Sequence, residues 1–271
     1  MSSIDFTSFL KLMAHQKASD LFITAGMPAS MKVNGRISPI TQSPLTPQQS
    51  RDLVLNVMTP LQREEFEKTH ECNFAIGVAG VGRFRVSCFY QRNQVGMVLR
   101  RIETRIPTVE ELSLPPIIKT LAMTKRGLII FVGATGTGKS TSLAAMIGYR
   151  NANSTGHIIT IEDPIEFVHK HDGCIITQRE VGIDTDSWDN ALKNTLRQAP
   201  DVIMIGEVRS REGMDHAIAF AETGHLVLCT LHANNANQAM DRIINFFPEE
   251  RRSQLLMDLS LNLKGVVAQQ L

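Results

Sequence analysis

Nine residues that follow an apolar run constrain the fold of this chain more than any other feature. The run Leu128-Ile129-Ile130-Phe131-Val132 leads into Gly133-Ala134-Thr135-Gly136-Thr137-Gly138-Lys139-Ser140-Thr141 and then a helix-like segment, which matches the P-loop pattern G-x-x-x-x-G-K-[ST]. Glycines let successive backbone N–H groups curve around a phosphate, and the helix N-terminus adds partial positive charge. Lys139 is placed to bind the β- and γ-phosphates, and Ser140 to offer its hydroxyl to Mg²⁺. An ordinary glycine turn seldom carries both groups at these offsets, so the stretch predicts nucleotide binding.

Composition narrows the class of protein. The 271 residues are 43% hydrophobic and 20% charged, enough for a substantial core in one or two domains. A formal net charge of +1 disfavours nucleic acid or an anionic membrane as the partner. No apolar run approaches the roughly 18 residues of a membrane helix, and the N-terminus does not resemble a signal peptide. We therefore expect a cytoplasmic protein.

The four cysteines are scattered along strand-like runs, at Cys72, Cys88, Cys174 and Cys229. Reduced, buried thiols are expected in such a protein. Because no C-x-x-C pair exists, a structural zinc site is not expected.

The first hundred residues predict a small α+β domain. Apolar residues at Phe6, Phe9, Leu10 and Met13 have helical spacing, and Asn34-Gly35 between two short apolar runs indicates a hairpin with a type I′ turn. Thr-Pro pairs at 46–47 and 59–60 predict two helix starts, for helices at about 47–58 and 60–69. Three strand patterns follow, at 73–76, 83–88 and 95–100, so an antiparallel sheet is expected over residues 1–100.

The pattern changes after a proline-bearing stretch, residues 101–116, which we interpret as a semi-rigid linker. In residues 117–271, apolar runs alternate with helix-like segments, which predicts a doubly wound α/β domain with a mostly parallel sheet. The predicted strands lie at 128–132, 157–161, 202–206 and 226–231, and the predicted helices at 139–150, 187–198, 211–222 and 236–247. The last segment, 249–271, has a helical pattern to its end, which suggests a chain truncated at its C-terminus.

Acidic residues follow two of these strands, where ligands bind in parallel sheets. Glu162 and Asp163 end one strand, and adjacent carboxylates there can polarise water or hold Mg²⁺ through water. An acidic turn ended by Pro164 is the alternative. Glu207 ends another strand, after Gly206 at a position where many P-loop enzymes have Asp. The metal-facing role then falls to Glu207 and the 162–163 pair.

Histidines and arginines supply further candidates. His225 and His232 bracket one strand, seven residues apart, and cannot share a metal; one at the strand end can sense a γ-phosphate, although a lone histidine is often only hydrogen-bonded. Arg83 and Arg85 share one face of their strand. Solvated surface arginines are the ordinary interpretation, and arginine fingers acting on a neighbouring subunit's nucleotide are the alternative.

Four motifs together resemble the secretion ATPase superfamily, and within it the type IV pilus retraction ATPases of the PilT/PilU family. They are GATGTGKST (133–141), TIEDPIEFVH (160–169), APDVIMIGEVRS (199–210) and AETGHLVLCTLHANNA (221–236), in the family's order and over nearly the whole chain. The segments 179–201 and 236–252 resemble PilU more than PilT.

This resemblance implies a homohexameric motor that hydrolyses ATP to power or assist pilus retraction, with a PAS-like N-terminal domain and a RecA-like ATPase domain. ATP would lie between the domains and receive arginines from the adjacent subunit, Arg85 and Arg100 matching best. The family pattern makes Glu162 the water-activating base. Glu207 would support Mg²⁺ and water, and His232, with His225 as a second candidate, would contact the γ-phosphate. Implied partners are a PilT-type ATPase and an inner-membrane platform protein, with a location at the inner-membrane base of the pilus.

Two departures from the superfamily matter. The tetracysteine insert of assembly ATPases is absent, which favours retraction, and a family segment expected near the last helix is not seen. A small-molecule kinase remains an alternative, although no Arg-rich lid segment is present. So does an accessory subunit with little activity of its own. A DNA translocase is disfavoured by the near-neutral charge.

Overall fold

The structure is a computed structural model that describes residues 6–102 and 105–270. The chain divides into two compact units, Met1–Thr104 and Arg105–Leu271. The N-terminal unit has an antiparallel sheet and the C-terminal unit a parallel one, as the sequence predicted.

Residues 6–102 of the N-terminal unit form three helices and six strands. The helices are α1 (Phe6–His15), α2 (Pro47–Asn56) and α3 (Pro60–Thr69). The strands are β1 (Asp20–Ile23), β2 (Ser30–Val33), β3 (Arg36–Pro39), β4 (Glu71–Val78), β5 (Gly82–Gln91) and β6 (Gln94–Ile102), in the sheet order β3-β2-β1-β6-β5-β4.

Local sequence explains the boundaries of these elements. Thr46 and Thr59 cap α2 and α3, each with a reciprocal capping box and a proline in the first turn. The β2–β3 hairpin turns at Asn34 and Gly35, whose φ angles of 49° and 79° are those that a type I′ turn requires. The starts of α2 and α3 and the turn between β2 and β3 therefore lie at the residues that the sequence predicted.

The N-terminal sheet has two different faces. One carries fully buried apolar residues such as Phe84, Val86 and Leu99, which form the core with α1, α2 and α3. The other carries Arg85 and Arg100, which are direct cross-strand partners. Alternation of the side chains along β5 separates the two sets, as predicted.

The C-terminal unit places helices on both faces of a six-stranded parallel sheet. Its helices are α4 (Ile117–Ala122), α5 (Lys139–Asn153), α6 (Trp188–Thr195), α7 (Arg211–Glu222), α8 (Ala236–Phe246) and α9 (Glu249–Asn262), with a short 3-10 helix at Leu196–Gln198. Its strands are β7 (Gly127–Val132), β8 (Gly156–Glu162), β9 (Cys174–Glu180), β10 (Val202–Ile205), β11 (Leu226–Leu231) and β12 (Leu263–Ala268), in the order β12-β7-β11-β10-β8-β9.

Residues of β7 alternate between two cores. Leu128 and Ile130 pack with α6 to α9, and Ile129 and Phe131 pack with α4 and α5. Every residue of β7, β10 and β11 is buried, which explains why these strands are continuous apolar runs in the sequence. The predicted doubly wound, RecA-like fold is confirmed.

The structure differs from the sequence prediction at both sheet edges. The segment 249–271 is not helical throughout, because α9 ends at Asn262 and β12 then pairs with β7. The edge strand β9, beside β8, was not predicted. Edge strands are exposed on one side, so their apolar patterns are short and irregular.

The stretch 101–116 is partly folded. Residues 101–102 continue β6, and Val109 is 2% exposed in the same core cluster as Ile118 of α4. The division between the units falls at Thr104 and Arg105 rather than over the whole proline-bearing stretch.

All four cysteines are free and buried, as predicted. Burial raises the pKa of Cys88 and Cys229 to about 12, so these thiols are inert near neutral pH. Within residues 6–102 and 105–270, no helix is both long and apolar enough to cross a membrane.

Candidate nucleotide-binding site

The P-loop lies at the carboxyl end of β7 and opens directly onto α5. Gly136 and Gly138 have φ angles of 85° and 84°, in the left-handed region that favours glycine. A Cβ on Gly133 would lie 2.5 Å from Thr137 Oγ1 and 2.6 Å from the Gln269 carbonyl oxygen. Glycine is therefore required here both for backbone conformation and for close packing.

Lys139 folds back onto the loop that precedes it. Its Nζ donates to the carbonyl oxygens of Gly133 at 2.8 Å and Ala134 at 2.9 Å. Burial lowers the pKa of the Lys139 ammonium, and the nearby charge of Glu207 opposes that shift. The ammonium is thus held inside the P-loop, where an arriving phosphate can replace the carbonyl oxygens.

The carboxyl ends of the other strands bring the predicted acidic and histidine residues into one row. From the P-loop after β7, the sheet order passes to His232 after β11, then Glu207 after β10, then Glu162 at the end of β8. Neighbouring strands are about 4.8 Å apart. The P-loop and the three side chains therefore follow one another along a single edge of the sheet.

Glu162 is a buried carboxylate, 7% exposed. Thr160 Oγ1 donates to Glu162 Oε1 at 2.6 Å, and Gln178 Nε2 donates to the same oxygen at 3.1 Å. Burial raises the pKa of Glu162, and these two donors oppose the increase. A carboxyl group with a raised pKa can take a proton from water more readily than an ordinary one.

Glu207 lies between two cationic or titratable partners. His232 Nε2 is 3.0 Å from Glu207 Oε1, and Arg209 Nε donates to Glu207 Oε2 at 2.7 Å. Arg209 Nη1 is also 3.6 Å from Asp163 Oδ2. Arg209 therefore joins Glu207 to Asp163, and His232 contacts Glu207 directly.

Sequence reasoning missed Arg209 as a site residue. Its signal was present in the motif APDVIMIGEVRS, two residues after Glu207. The role became visible only when the strand order brought Asp163, which lies far away in sequence, within ion-pairing distance.

Gly206 stands where many P-loop enzymes have an aspartate, and the structure gives a steric reason. A Cβ at this position would lie 3.1 Å from the Ile161 carbonyl oxygen and 3.2 Å from Glu162 Cα. Any side chain here would displace the end of β8, which carries Glu162. The acidic residue predicted to face the metal, Glu207, lies one residue further along the chain.

His225 lies at the opposite end of the sheet from the P-loop of the same chain, and a γ-phosphate role for it stays a prediction. Leu226 pairs with Gly127 and Leu231 with Val132, so His225 precedes the amino end of β11 while the P-loop follows the carboxyl end of β7. The strand length separates the two by about 20 Å. His225 Nδ1 instead contacts Thr223 Oγ1 and the Phe220 carbonyl oxygen, both at 3.1 Å.

The arginine candidates share the polar face of the N-terminal sheet. Arg100 Nε donates to Asp20 Oδ1 at 2.9 Å, and the Arg100 side chain is 71% exposed. The Arg85 side chain makes no hydrogen bond or ion pair to any of the residues that the structure describes. The two side chains lie next to each other on β5 and β6, and a finger role for them stays a prediction.

The oxygen donors along the row fit Mg²⁺. Ser140 is exposed at the start of α5, and its hydroxyl has no hydrogen-bond partner in the described part of the chain. No group of three or more His, Cys, Asp or Glu in that part can hold a metal by itself. Mg²⁺ in phosphate sites takes only one or two protein oxygens, the rest coming from phosphate and water, which is what Ser140 and Glu207 offer.

Comparisons with known proteins agree with this arrangement. The family model "Type II/IV secretion system protein" matches residues 4–271. The "Type IV pilus ATPase PilU" of Pseudomonas aeruginosa is 73% identical over 268 residues, 99% of this chain and 70% of the relative. The "Type IV pilus retractation ATPase PilT" of the same organism is 42% identical over 99% of this chain and 78% of its own.

A solved structure agrees as well. The "Crystal Structure of the Pilus Retraction Motor PilT and Bound ADP" has a TM-score of 0.92 and 43% identity, and the match covers 97% of this chain and 77% of that one.

Proposed function

Because the chain belongs to the type II/IV secretion system protein family, among the PilT/PilU-type ATPases, we propose that it is an ATP-hydrolysing subunit of a hexameric motor that powers or assists type IV pilus retraction. The observation that carries the proposal is the continuous row of P-loop, His232, Glu207 and Glu162 along one edge of the parallel sheet. A phosphate-binding loop alone would serve many functions. A buried carboxylate in the same row makes hydrolysis the chemistry that fits.

Each residue of the row has a distinct task in this proposal. The loop amides and Lys139 hold the phosphates of ATP, and Ser140 with Glu207 would hold Mg²⁺, partly through water. When bound, the metal ion neutralises charge on the phosphates. Glu162 accepts a proton from the attacking water. Contributions of this kind from a general base are about 10²- to 10⁴-fold in rate.

His232 and Glu207 form a unit that can respond to the γ-phosphate. At 3.0 Å the ring Nε2–H donates to the Glu207 carboxylate, and the same donor can turn to a γ-phosphate oxygen. Glu207 remains paired with Arg209 when that happens. Loss of the γ-phosphate would restore the hydrogen bond between His232 and Glu207, so the hydrogen-bond partner of His232 would depend on which nucleotide is bound.

We further propose that a neighbouring subunit completes the site, with Arg85 and Arg100 as its arginine fingers. Arg85 is the better residue to test, since Arg100 already pairs with Asp20 and its removal would leave a buried carboxylate without its ionic partner. Arginine fingers contribute about 10³- to 10⁵-fold in related phosphoryl-transfer sites. The ring would act on an inner-membrane platform protein at the cytoplasmic base of the pilus.

Mixed rings test the hydrolysis and the shared site together. Lys139→Ala and Arg85→Ala should each lose ATP turnover. Mixed in equal amounts, they should recover about a quarter of it, because an Arg85→Ala subunit supplies the P-loop and a Lys139→Ala neighbour the arginine. The control mixture is Lys139→Ala with Glu162→Gln, whose defects lie in one chain's half of the site and should not complement.

The outcomes separate the parts of the proposal. Full turnover in Lys139→Ala would exclude the P-loop as the hydrolytic site. Absence of recovery in mixed rings whose composition is verified by mass would exclude Arg85 acting in trans. Low turnover of the unaltered chain that rises only on mixing with a PilT-type ATPase would assign it the accessory role instead, and a monomer with and without ATP would exclude the ring.

A further inference from the structure

One amide outside the four recognisable motifs holds the predicted catalytic segment together. Gln178 lies on β9, directly beside Thr160 of β8. Its Nε2 donates to Glu162 Oε1 at 3.1 Å and to the Phe167 carbonyl oxygen at 2.8 Å, and its Oε1 accepts the backbone N–H of His169 at 2.8 Å. The single side chain thus joins the end of β8 to the loop that follows it.

The partners determine the orientation of this amide. Two of them, a carboxylate and a carbonyl, are acceptors, and the third is an N–H donor. A rotated amide would place its oxygen against both acceptors and its NH₂ group against the donor, with the loss of all three hydrogen bonds. The amide is therefore fully engaged, and its position is set by three separate contacts.

The same contacts fix the orientation of the Glu162 carboxylate. Both side-chain donors, Thr160 Oγ1 and Gln178 Nε2, act on Oε1, and the backbone N–H of Glu166 is a further donor to the carboxylate. A carboxylate held by several donors keeps a constant direction, which is what a general base needs for the alignment of water.

We propose that Gln178 is a positioning residue for hydrolysis, which orients the Glu162 carboxylate and the 163–169 loop relative to each other. The proposal rests on the function proposed above, with Glu162 as the base. It assigns a role to a strand that the recognisable sequence motifs do not include. Gln178 affects the chemical step through the orientation of Glu162.

A purely structural clamp is the alternative, and the chain contains a matched example. Asn151 Nδ2 donates to the Lys170 carbonyl oxygen at 2.8 Å, and its Oδ1 accepts from the backbone N–H groups of Asp172 at 3.3 Å and Cys174 at 3.0 Å. Asn151 therefore holds residues 170–174, which follow the 163–169 loop, with three hydrogen bonds, the same number that Gln178 makes. Its side chain makes no hydrogen bond to Glu162, Glu207 or the P-loop within the part of the chain that the structure describes.

The experiment compares Gln178→Met with Asn151→Leu, each in the unaltered chain and in Glu162→Gln. The measurements are kcat, KM for ATP, affinity for a fluorescent ATP analogue and Tm. We expect Gln178→Met to lower kcat about tenfold while KM and affinity change less than about twofold, because only the chemical step loses alignment. Asn151→Leu should lower Tm and leave kcat within about twofold. In Glu162→Gln, Gln178→Met should have no further effect on kcat.

Three other outcomes would each contradict one part of the proposal. Equal losses of kcat in Gln178→Met and Asn151→Leu would make Gln178 an ordinary loop clamp. An undiminished effect of Gln178→Met in the Glu162→Gln background would show that it does not act through Glu162. Unchanged kcat in Glu162→Gln alone would remove the base assignment and this proposal with it, while leaving the P-loop assignment to the mixed-ring test.

A second variant covers the case in which Gln178→Met does not fold. Gln178→Asn keeps a neutral amide but is one methylene shorter, so it cannot hold Glu162 and the loop in the same geometry. It should lower kcat in the same direction as Gln178→Met. Normal kcat in Gln178→Asn would contradict the proposal as directly as normal kcat in the first variant.

Discussion

The two ends of the parallel sheet carry similar side chains in very different surroundings. At the amino end, His157 uses both ring nitrogens, one 2.9 Å from the Gln198 carbonyl oxygen and the other 2.8 Å from Thr177 Oγ1, and Asp201 accepts from the His157 backbone N–H at 2.8 Å. At the carboxyl end, Glu207 is shared between His232 and Arg209.

The two ends differ in how their charged groups are placed. At the amino end, neutral backbone and hydroxyl groups satisfy His157, and no phosphate-binding loop of the described chain lies beside it. At the carboxyl end the charged groups neutralise one another, beside a loop whose amides bind phosphate. Those ion pairs can be exchanged for a phosphate or a metal ion at little cost.

Substitution of a carboxylate at each end of the sheet is expected to give the largest difference in ATP turnover. Glu207→Gln keeps the shape of the side chain and removes the charge shared by His232 and Arg209, so ATP turnover should fall about 100-fold. Asp201→Asn is the matched change at the amino end and should leave turnover within about twofold. Steady-state ATPase assays on the two variants make the comparison, and equal losses would break the distinction.

A smaller difference is expected from the histidines that bracket β11. His232→Ala removes the partner of Glu207 and should lower kcat about tenfold. His225→Ala, at the other end of the strand, should change kcat less than about twofold. If His225→Ala instead impairs turnover as much as His232→Ala, the ring of His225 must serve a site that a single chain does not contain.

The smallest effect on activity, with a measurable effect on stability, is expected at His157. His157→Ala removes two hydrogen bonds that join β8 to its neighbours, so the free energy of unfolding should fall by about 1–2 kcal/mol while kcat stays unchanged. Urea denaturation followed by ATPase assays under native conditions measures both quantities. A loss of kcat without a loss of stability would place catalytic function at the amino end.

Much of the fold could be predicted because local chemistry determines it. Thr46 and Thr59 start helices, Asn34-Gly35 makes a turn, and continuous apolar runs become buried parallel strands. The edge strands β9 and β12 could not be predicted in the same way. Their pairing with β8 and β7 depends on which edges the sheet leaves open, and their own residues are only partly buried.

The candidate site also has one part that local sequence determines and another that depends on the fold. The P-loop is one continuous segment, so the sequence alone determined its conformation, its lysine and its hydroxyl, and the same motifs identified the family. Only the tertiary structure decided that Arg209 joins Glu207 to Asp163, that Gln178 holds Glu162, and that His225 lies at the far end of its strand. These relations depend on strand order and strand direction, which bring together residues that are distant in sequence, and no local pattern encodes them.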